Sequence, residues 1–200
     1  MPTGHVLSVS RDLMHRFRKM PCASITLAAG LGVVGDAHAG TLVQHRSRVR
    51  RDPNQENLRQ VHLLHAELFA EAADRGHQIG AGDLGENITT QGVPLLDLPV
   101  DTRLHIGEVV VRLTGLRNPC RQIDDFQKGL LKVVVARADG VPSTVEPTQT
   151  ATGGVDRLDG SRIVRKAGVM GVVERGGDVN PGQVIDIVLP DRPYTALEPV

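Results

Sequence analysis

Several residue types that mark particular protein classes are scarce in this chain. Its 200 residues include two cysteines, no tryptophan, one tyrosine and three phenylalanines. Two cysteines are too few for a disulfide framework or a cysteine-rich zinc site. The shortage of aromatic rings argues against single-stranded nucleic-acid binding, which uses such rings to stack bases. The core must instead be built from valine, leucine, isoleucine and alanine.

An excess of charge and a long apolar run are also missing. Lys and Arg together number 23, as do Asp and Glu, so the formal net charge is zero. Binders of DNA or RNA usually carry a clear positive excess because phosphate contacts dominate their affinity, so we expect no nucleic-acid partner. No apolar stretch reaches the roughly 18 residues that cross a bilayer, and the N-terminus lacks a secretory signal pattern. We therefore expect a cytoplasmic protein with no membrane partner.

Short β-branched runs alternate with turn residues along the chain. The 22 glycines and 12 prolines are spread out rather than gathered in a linker. This pattern is typical of a mainly β domain with many turns. The segment 109–111 is apolar without alternation, which indicates a strand buried on both faces or crossing a barrel wall. The predicted strands are residues 6–10, 61–64, 87–91, 108–113, 168–173 and 183–189.

Two stretches predict helices instead. Residues 66–75 (AELFAEAADR) are rich in strong helix formers, and Gly76 is a natural stop. Residues 126–138 place apolar side chains on one face, with Asp124 or Asp125 as a cap. The residues on that face are Leu130, Leu131, Val134 and Val135.

The chain is interpreted as a single domain over residues 1–190, from which polar loops project. Residues 46–57 and 144–159 predict exposed loops, and the tail at 191–200 should lie on the surface. The first loop contains a basic cluster, which is either simply solvated or meets a phosphate or an acidic protein. The cluster comprises Arg46, Arg48, Arg50 and Arg51.

Cys120 is the first candidate for chemistry, within LTGLRNPCRQID at residues 113–124. It follows a predicted strand and Pro119, and Arg117 and Arg121 flank it. Proline restricts the local backbone, and two guanidinium groups favour the thiolate, the form that ligates soft metals or acts as a nucleophile. A buried structural cysteine is an equally good interpretation of the local sequence, because free cysteine packs as a small hydrophobe.

Two glycine-framed motifs are further candidates. In GDAHAG at residues 35–40, alternation along an extended strand would put Asp36 and His38 on the same side, although Asp36 could equally cap its own turn. GAGDLGENITTQ at residues 80–91 offers either an anion-binding loop of backbone N–H groups or a tight turn. Its Glu86 and Asn87 carry donors and acceptors suited to a polar heterocycle.

Other features are less informative. Cys22 follows Pro21 in an apolar setting and is interpreted as structural. His62 and His65 have a spacing found in some metal sites, but no third ligand at a recognisable interval supports a metal there. The chain has no Walker-type phosphate loop, no GxSxG nucleophile elbow and no paired CxxC.

Taken together, four blocks of sequence resemble the MOSC family, named from the C-terminal domain of molybdenum cofactor sulfurases. The blocks keep the family's order, cover most of the chain between residues 4 and 189, and include a cysteine where the family has one. They are GDAHAG at 35–40, GDLGENITTQG at 82–92, LHIGEVVVRLTGLRNPCRQID at 104–124, and GVMGVVERGGDVNPGQVI at 168–185.

The resemblance implies a mainly β, barrel-like fold with a few helices, and binding of the molybdenum cofactor, a molybdopterin that carries molybdenum. The cysteine matching Cys120 would supply a thiolate to the metal, and soft-ligand chemistry agrees with that role. Asp36 and His38 match family motif positions and are our further catalytic candidates. The candidates for holding the cofactor and its phosphate are Arg117, Asn118, Arg121, Gly82, Gly85, Glu86 and Asn87.

The chain resembles the stand-alone bacterial members, with no room for a pyridoxal-phosphate desulfurase domain. Three functions remain open. The first is an oxidoreductase that reduces N-hydroxylated small molecules, with electrons from a flavin or iron–sulfur reductase, since the chain has no ligand set for either group. The second is a sulfur carrier with a persulfide on Cys120. The third is a non-enzymatic cofactor-binding module.

Overall fold

The computed structural model describes residues 4–137 and 163–200, and its centre is a closed barrel of seven strands. The predicted polar loop at 144–159 therefore lies outside the described residues. The strands are β1 (Gly4–Arg11), β2 (Met20–Cys22), β3 (Ile25–Ala28), β4 (Gly32–Val33), β5 (Val61–His65), β6 (Ile88–Gln91), β7 (Arg103–Ile106), β8 (Val109–Leu116), β9 (Val135–Arg137), β10 (Ile163–Arg165), β11 (Val169–Arg175), β12 (Gly177–Val179) and β13 (Val184–Val188). The helices are α1 (Arg46–Val49), α2 (Glu67–Ala73), α3 (Gln122–Phe126) and α4 (Leu130–Val134), with a 3-10 turn at Leu95–Asp97.

The barrel strands follow the order β13, β7, β8, β11, β5, β6 and β1. The ring closes because β13 pairs back onto β1, with Gly4 opposite Ile185. The β5–β6 pair is parallel, with Leu63 opposite Ile88. β2 pairs with β1, while β3, β4 and β12 form a small second sheet and β9 pairs with β10. The mainly β, barrel-like fold predicted from the sequence is confirmed.

Aliphatic side chains fill the barrel, as the composition required. In β7, Leu104 and Ile106 are fully buried and alternate with two half-buried polar residues. In β8, Val109, Val110 and Val111 are all buried, which confirms the prediction of a strand without a solvent face. Removing each such side chain from water contributes roughly 1.5–3 kcal/mol.

A second apolar cluster packs outside the barrel between α2, α3, α4 and β9. Its fully buried members include Leu64, Leu68 and Ile123. The helix predicted at 66–75 is confirmed as α2, and Gly76 follows it at φ +82°, the left-handed conformation that ends a helix. All six predicted strands are present, within a few residues of their predicted bounds.

The single helix predicted at 126–138 is wrong. The chain forms α3 and α4 separately, and then extends as β9. Gly129, at φ +92°, breaks the helical path between α3 and α4. The three valines at 133–135 favour extended backbone, and β9 finds a partner in β10, with Val135 opposite Arg165. Asp124 and Asp125 were the two predicted caps, and Asp124 caps the start of α4. Its Oδ1 accepts from the N–H groups of Gly129 (3.2 Å) and Leu131 (2.9 Å).

Two segments expected on the surface are partly buried. Residues 46–57 begin with the short helix α1 and end at Asn57, which is 3% exposed and donates to the carbonyls of His38 and Gly40. The tail is exposed at 191–196, but Leu197 is 7% exposed and packs on the barrel core.

Across residues 4–137 and 163–200, no helix is both long enough and apolar enough to cross a bilayer.

Candidate functional site

A cavity of about 170 Å³ lies where five loops or loop ends meet beside the barrel. The segments that line it are the β1–β2 loop, the stretch from β4 to α1, the approach to β5, the turn before β6 and the loop between β8 and α3. Met170 of β11 also contributes. The chemically active lining residues are Arg16, Lys19, His38, His45, Arg48, Asn57, Arg59, His62, Asn87, Arg117, Asn118, Cys120 and Gln122.

Cys120 lines this cavity and is half-buried. The loop that carries it is anchored at both ends, because Arg117 N–H donates to Gly168 O (2.9 Å) and Cys120 O accepts from Ile123 N–H (3.0 Å). Its Sγ lies 3.6 Å from Gln122 Oε1. Cys22 does not line the cavity, and its Sγ faces the carbonyls of Val9 and Ser24, which agrees with the structural role predicted for it.

The cavity is strongly cationic although the chain as a whole is neutral. Five of its lining side chains are Arg16, Lys19, Arg48, Arg59 and Arg117, and none of the described lining residues is acidic. Burial, together with the charges of Arg48 and Arg117, lowers the pKa of Arg59 to about 9. Crowding of like charges in a partly buried pocket favours an anionic ligand, which would relieve the repulsion.

Arg117 has a buried hydrogen-bond donor without an acceptor in this pocket. It is 8% exposed, and its Nη1 is buried without a hydrogen-bond partner. Burial lowers its pKa, while the charges of Cys120 and Glu86 act in the opposite sense. The neighbouring Asn118 also has a buried unpaired atom, its Oδ1. Unpaired buried donors and acceptors are costly, so two adjacent ones that line a cavity indicate a polar ligand.

Asp36 organises the back of the cavity rather than lining it. It lies in a turn after β4, and not on the extended strand that alternation predicted. Its Oδ1 accepts from His38 N–H (2.9 Å) and faces His38 Nδ1 (3.3 Å), while Oδ2 accepts from Asn87 Nδ2 (3.0 Å) and Lys19 Nζ (2.8 Å). Burial raises the pKa of Asp36, but the His38 and Lys19 contacts outweigh it and hold the pKa well below its usual value. Asp36 thus makes the predicted turn and orients three cavity residues as well: His38, Asn87 and Lys19.

His38 lines the cavity with Nδ1 engaged by Asp36, so that Nε2 is the ring nitrogen left for a ligand. Burial lowers the pKa of His38, against the effect of Asp36. The rings of His15 and His45 lie 5.1 and 6.2 Å from the His38 ring. Burial and the charges of Arg59 and His38 lower the pKa of His45 to about 4. His45 is therefore mostly neutral at pH 7, and burial favours the neutral form of His38 as well.

The glycine motif before β6 serves close packing rather than an exposed anion loop. Gly82 N–H donates to Glu86 Oε1 (2.6 Å), and Gly85 N–H donates to Gly82 O (3.0 Å), so neither is free for a phosphate. Both glycines have positive φ and lie against the β1–β2 loop. A Cβ would approach Lys19 O to 2.2 Å at Gly82, and Phe17 O to 2.5 Å at Gly85.

The predicted site residues divide into two groups. The structure brings Cys120, His38, Arg117, Asn118, Gly85 and Asn87 to the cavity. The residues Asp36, Gly82, Glu86 and Arg121 do not line it. Glu86 is fully buried behind the site, where burial raises its pKa. The Arg121 side chain is 80% exposed and faces Asp125.

Sequence reasoning missed Arg16, Lys19, His45 and Arg59. Arg48 had been noticed only as part of a basic cluster that was assigned no definite role. Arg59 does carry a signal, because it stands next to a buried strand, where a long cationic side chain must reach an edge or a cavity. Lys19 lies between exposed residues and carries none.

Of the pair His62 and His65, His62 contacts a backbone carbonyl. His62 Nε2 lies 2.7 Å from Ala167 O, and burial, reinforced by Arg117, lowers its pKa well below 6.5. Within the described ranges, no three His, Cys, Asp or Glu side chains are grouped to hold a metal ion.

The chain matches one protein-family model and several solved structures. A family model described as the MOSC domain matches residues 50–186. The crystal structure of the YuaD protein from Bacillus subtilis is 20% identical, with a TM-score of 0.67, and the match covers 94% of this chain and 97% of that one. The crystal structure of YiiM from Geobacillus stearothermophilus is 17% identical, with a TM-score of 0.55 and coverage of 92% and 75%. For YiiM from Escherichia coli the identity is 16%, the TM-score 0.53 and the coverage 98% and 73%. These likenesses establish the fold, and no curated protein sequence matches the chain significantly.

Proposed function

The chain belongs to the MOSC domain family, and from this premise we propose that it binds the molybdenum cofactor in the Cys120 cavity and reduces N-hydroxylated small molecules. Electrons would come from a separate flavin or iron–sulfur reductase. The observation that carries the proposal is the position of Cys120 in a cavity lined by five cationic side chains and no described acidic one. Two of the five, Lys19 and Arg16, have carboxylate partners outside the lining, Asp36 and Asp12.

The residues present fit such a group. A thiolate is the natural protein ligand for a soft metal, and Cys120 is half-buried at the cavity. The cofactor's phosphate and polar heterocycle need cationic donors and an acceptor. Arg117 Nη1 and Asn118 Oδ1 are both buried and unpaired, and Arg59 lies with them on the cavity wall.

In this assignment Cys120 would hold the metal, and Arg117, Asn118 and Arg59 would hold the organic part. We no longer propose Arg121, Gly82 and Glu86 as cofactor-binding residues, since they do not line the cavity. The bound cofactor supplies two-electron redox chemistry.

The protein's own part in the reaction concerns protons. Reduction of an N-hydroxyl group takes two electrons and two protons, and it yields an amine nitrogen and water. Asp36 holds His38 by Nδ1–H, so that Nε2 would take up a proton from solvent and pass it to the departing hydroxyl oxygen. The buried Lys19–Asp36 pair keeps Asp36 ionised and so keeps His38 in that orientation. His38 is the proton donor in this proposal, and Asp36 and Lys19 are positioning residues.

Metal and pterin content test the binding. The protein is purified from a host that makes the cofactor, beside Cys120→Ser and Cys22→Ser variants. We expect about one molybdenum and one pterin per chain in the native protein and in Cys22→Ser, and loss of molybdenum in Cys120→Ser. Native protein without molybdenum or pterin would overturn the proposal. A search for persulfide on Cys120 by mass spectrometry would then follow.

Turnover tests the reaction separately. The holoprotein is supplied with an artificial electron donor and a panel of N-hydroxylated bases and amidoximes. We expect reduction by the native protein, and a large loss of turnover with unchanged molybdenum content in His38→Gln. A fully loaded protein that reduces none of these compounds would leave cofactor binding standing and refute the reductase activity.

A further inference from the structure

The last residues of the chain form a docked tail segment, which we define as residues 195–200. Thr195 O accepts from Val100 N–H (2.9 Å), and Leu197 packs into the barrel core. Glu198 O then accepts from Leu116 N–H (2.9 Å), and Val200 N–H donates to Leu116 O (3.3 Å). The segment thus runs parallel to the end of β8 as an added strand-like pairing.

Gly115 makes this docking possible. A Cβ at that position would lie 2.4 Å from Glu198 O and 2.5 Å from Val200 Cγ1. Real Cβ atoms do not approach a backbone oxygen so closely. Any larger residue at 115 must therefore push the tail segment away from β8, whereas glycine lets it lie flat.

The docked segment ends against a cation of the cavity. Arg59 Nη1 donates to the backbone oxygen of Val200 (3.2 Å), and Arg59 lines the same cavity as Arg48, Arg117 and Cys120. Arg48 and Arg117 repel the Arg59 guanidinium, whereas a negative Cys120 attracts it. An acceptor on the tail offsets part of that repulsion and restricts a long, flexible side chain.

We propose that the tail segment is a positioning element of the site, which holds the Arg59 guanidinium at the cavity wall close to Cys120. Arg59 in that position raises the affinity of the cavity for anions that approach the thiol. The inference concerns this chain's own contacts and does not depend on the cofactor or on the reductase activity.

Thiol kinetics at Cys120 provide the test. Full-length protein in a Cys22→Ser background, from a host that makes no pterin, is treated with a dianionic aromatic disulfide (Ellman's reagent) and with a neutral dipyridyl disulfide. The rate constant for the dianionic reagent is divided by that for the neutral reagent. This ratio measures the local positive charge, since thiol exposure and ionisation affect both reagents alike. Gly115→Ala displaces the tail, Arg59→Gln removes the cation, and the double variant combines them. Gly80→Ala, whose Cβ would meet nothing closer than 4.0 Å, is the matched control.

We expect Arg59→Gln to lower the ratio roughly three- to tenfold at low ionic strength, and Gly115→Ala to lower it in the same direction. The double variant should fall no further than Arg59→Gln alone, because both changes act through one guanidinium. Gly80→Ala should leave the ratio unchanged. An unchanged ratio in Gly115→Ala would overturn the proposal, and so would additive effects in the double variant.

If Gly115→Ala fails to fold, Leu197→Ala takes its place in the test. It weakens the same docking by removing a tail side chain from the barrel core. Thermal unfolding confirms that each variant is folded before its kinetics are measured. A lowered ratio in folded Leu197→Ala supports the proposal, and an unchanged ratio there overturns it.

Discussion

Lys19 Nζ lies 2.8 Å from Asp36 Oδ2, with side-chain exposures of only 4% and 2%. The pair links the β1–β2 loop to the turn after β4, and Asn87 joins them from the turn before β6. Buried ion pairs are stable only when their remaining donors and acceptors are also satisfied. Asp36 meets that condition through His38 and Asn87, so the pair fixes the relative positions of three cavity segments.

Asp36→Asn should destabilise the protein by about 3 kcal/mol, because it leaves the Lys19 ammonium buried without its counter-charge. Asp101→Asn is the control. Asp101 pairs with Arg112 at 2.6 Å, but its side chain is 53% exposed, so the cost should be under about 1 kcal/mol. Urea unfolding measures both. Equal losses in the two variants would show that burial of the Lys19–Asp36 pair has no special importance.

Gly82→Ala and Gly85→Ala should each destabilise by about 2 kcal/mol or more. Both positions have positive φ, and each new Cβ would collide with a backbone oxygen of the β1–β2 loop. Gly80→Ala lies in the same motif without either problem and should be nearly neutral. Thermal unfolding checks the three variants. A neutral Gly82→Ala would contradict the packing role assigned to the motif.

Asp124→Ala should cost about 1 kcal/mol, because its Oδ1 caps two N–H groups at the start of α4. Asp125→Ala is the neighbouring control, since Asp125 makes an exposed contact with Arg121 at 3.5 Å. The control should change stability by a few tenths of a kcal/mol at most. If chemical denaturation ranks the two in the opposite order, the cap does not stabilise α4.

Acid should destabilise the fold because its buried histidines resist protonation. Burial and Arg117 lower the pKa of His62 in the folded state, whereas an unfolded histidine takes up a proton near pH 6.5. A depressed folded-state pKa contributes stability above about pH 6.5, and this is lost as the pH falls. His38, His45 and His65 shift in the same direction.

The measurement for this prediction is the free energy of unfolding between pH 7 and 5. His62→Gln should reduce its pH slope by about 1 kcal/mol per pH unit below pH 6. A slope that His62→Gln does not change would place the acid sensitivity elsewhere.

The secondary structure was predictable where local signals agree. β-branched runs between turn residues mark the strands, and AELFAEAADR marks α2. The prediction failed at 126–138, where helical spacing competed with three consecutive valines. The outcome there depends on β9 finding β10 as a partner, and that contact is remote in sequence.

By itself, the sequence determined a mainly β fold and the family resemblance, and it singled out Cys120 as a candidate, because these depend on local pattern and on blocks of contiguous residues. Only the tertiary structure decided that Arg16, Lys19, Arg48, Arg59 and Arg117 meet at one cavity in a chain of zero net charge. It also showed that the glycine motif packs against the β1–β2 loop, and that buried Asp36 contacts Lys19, His38 and Asn87 together. The physical reason is that charge and burial depend on distances between segments far apart in the chain, and closure of the barrel sets those distances.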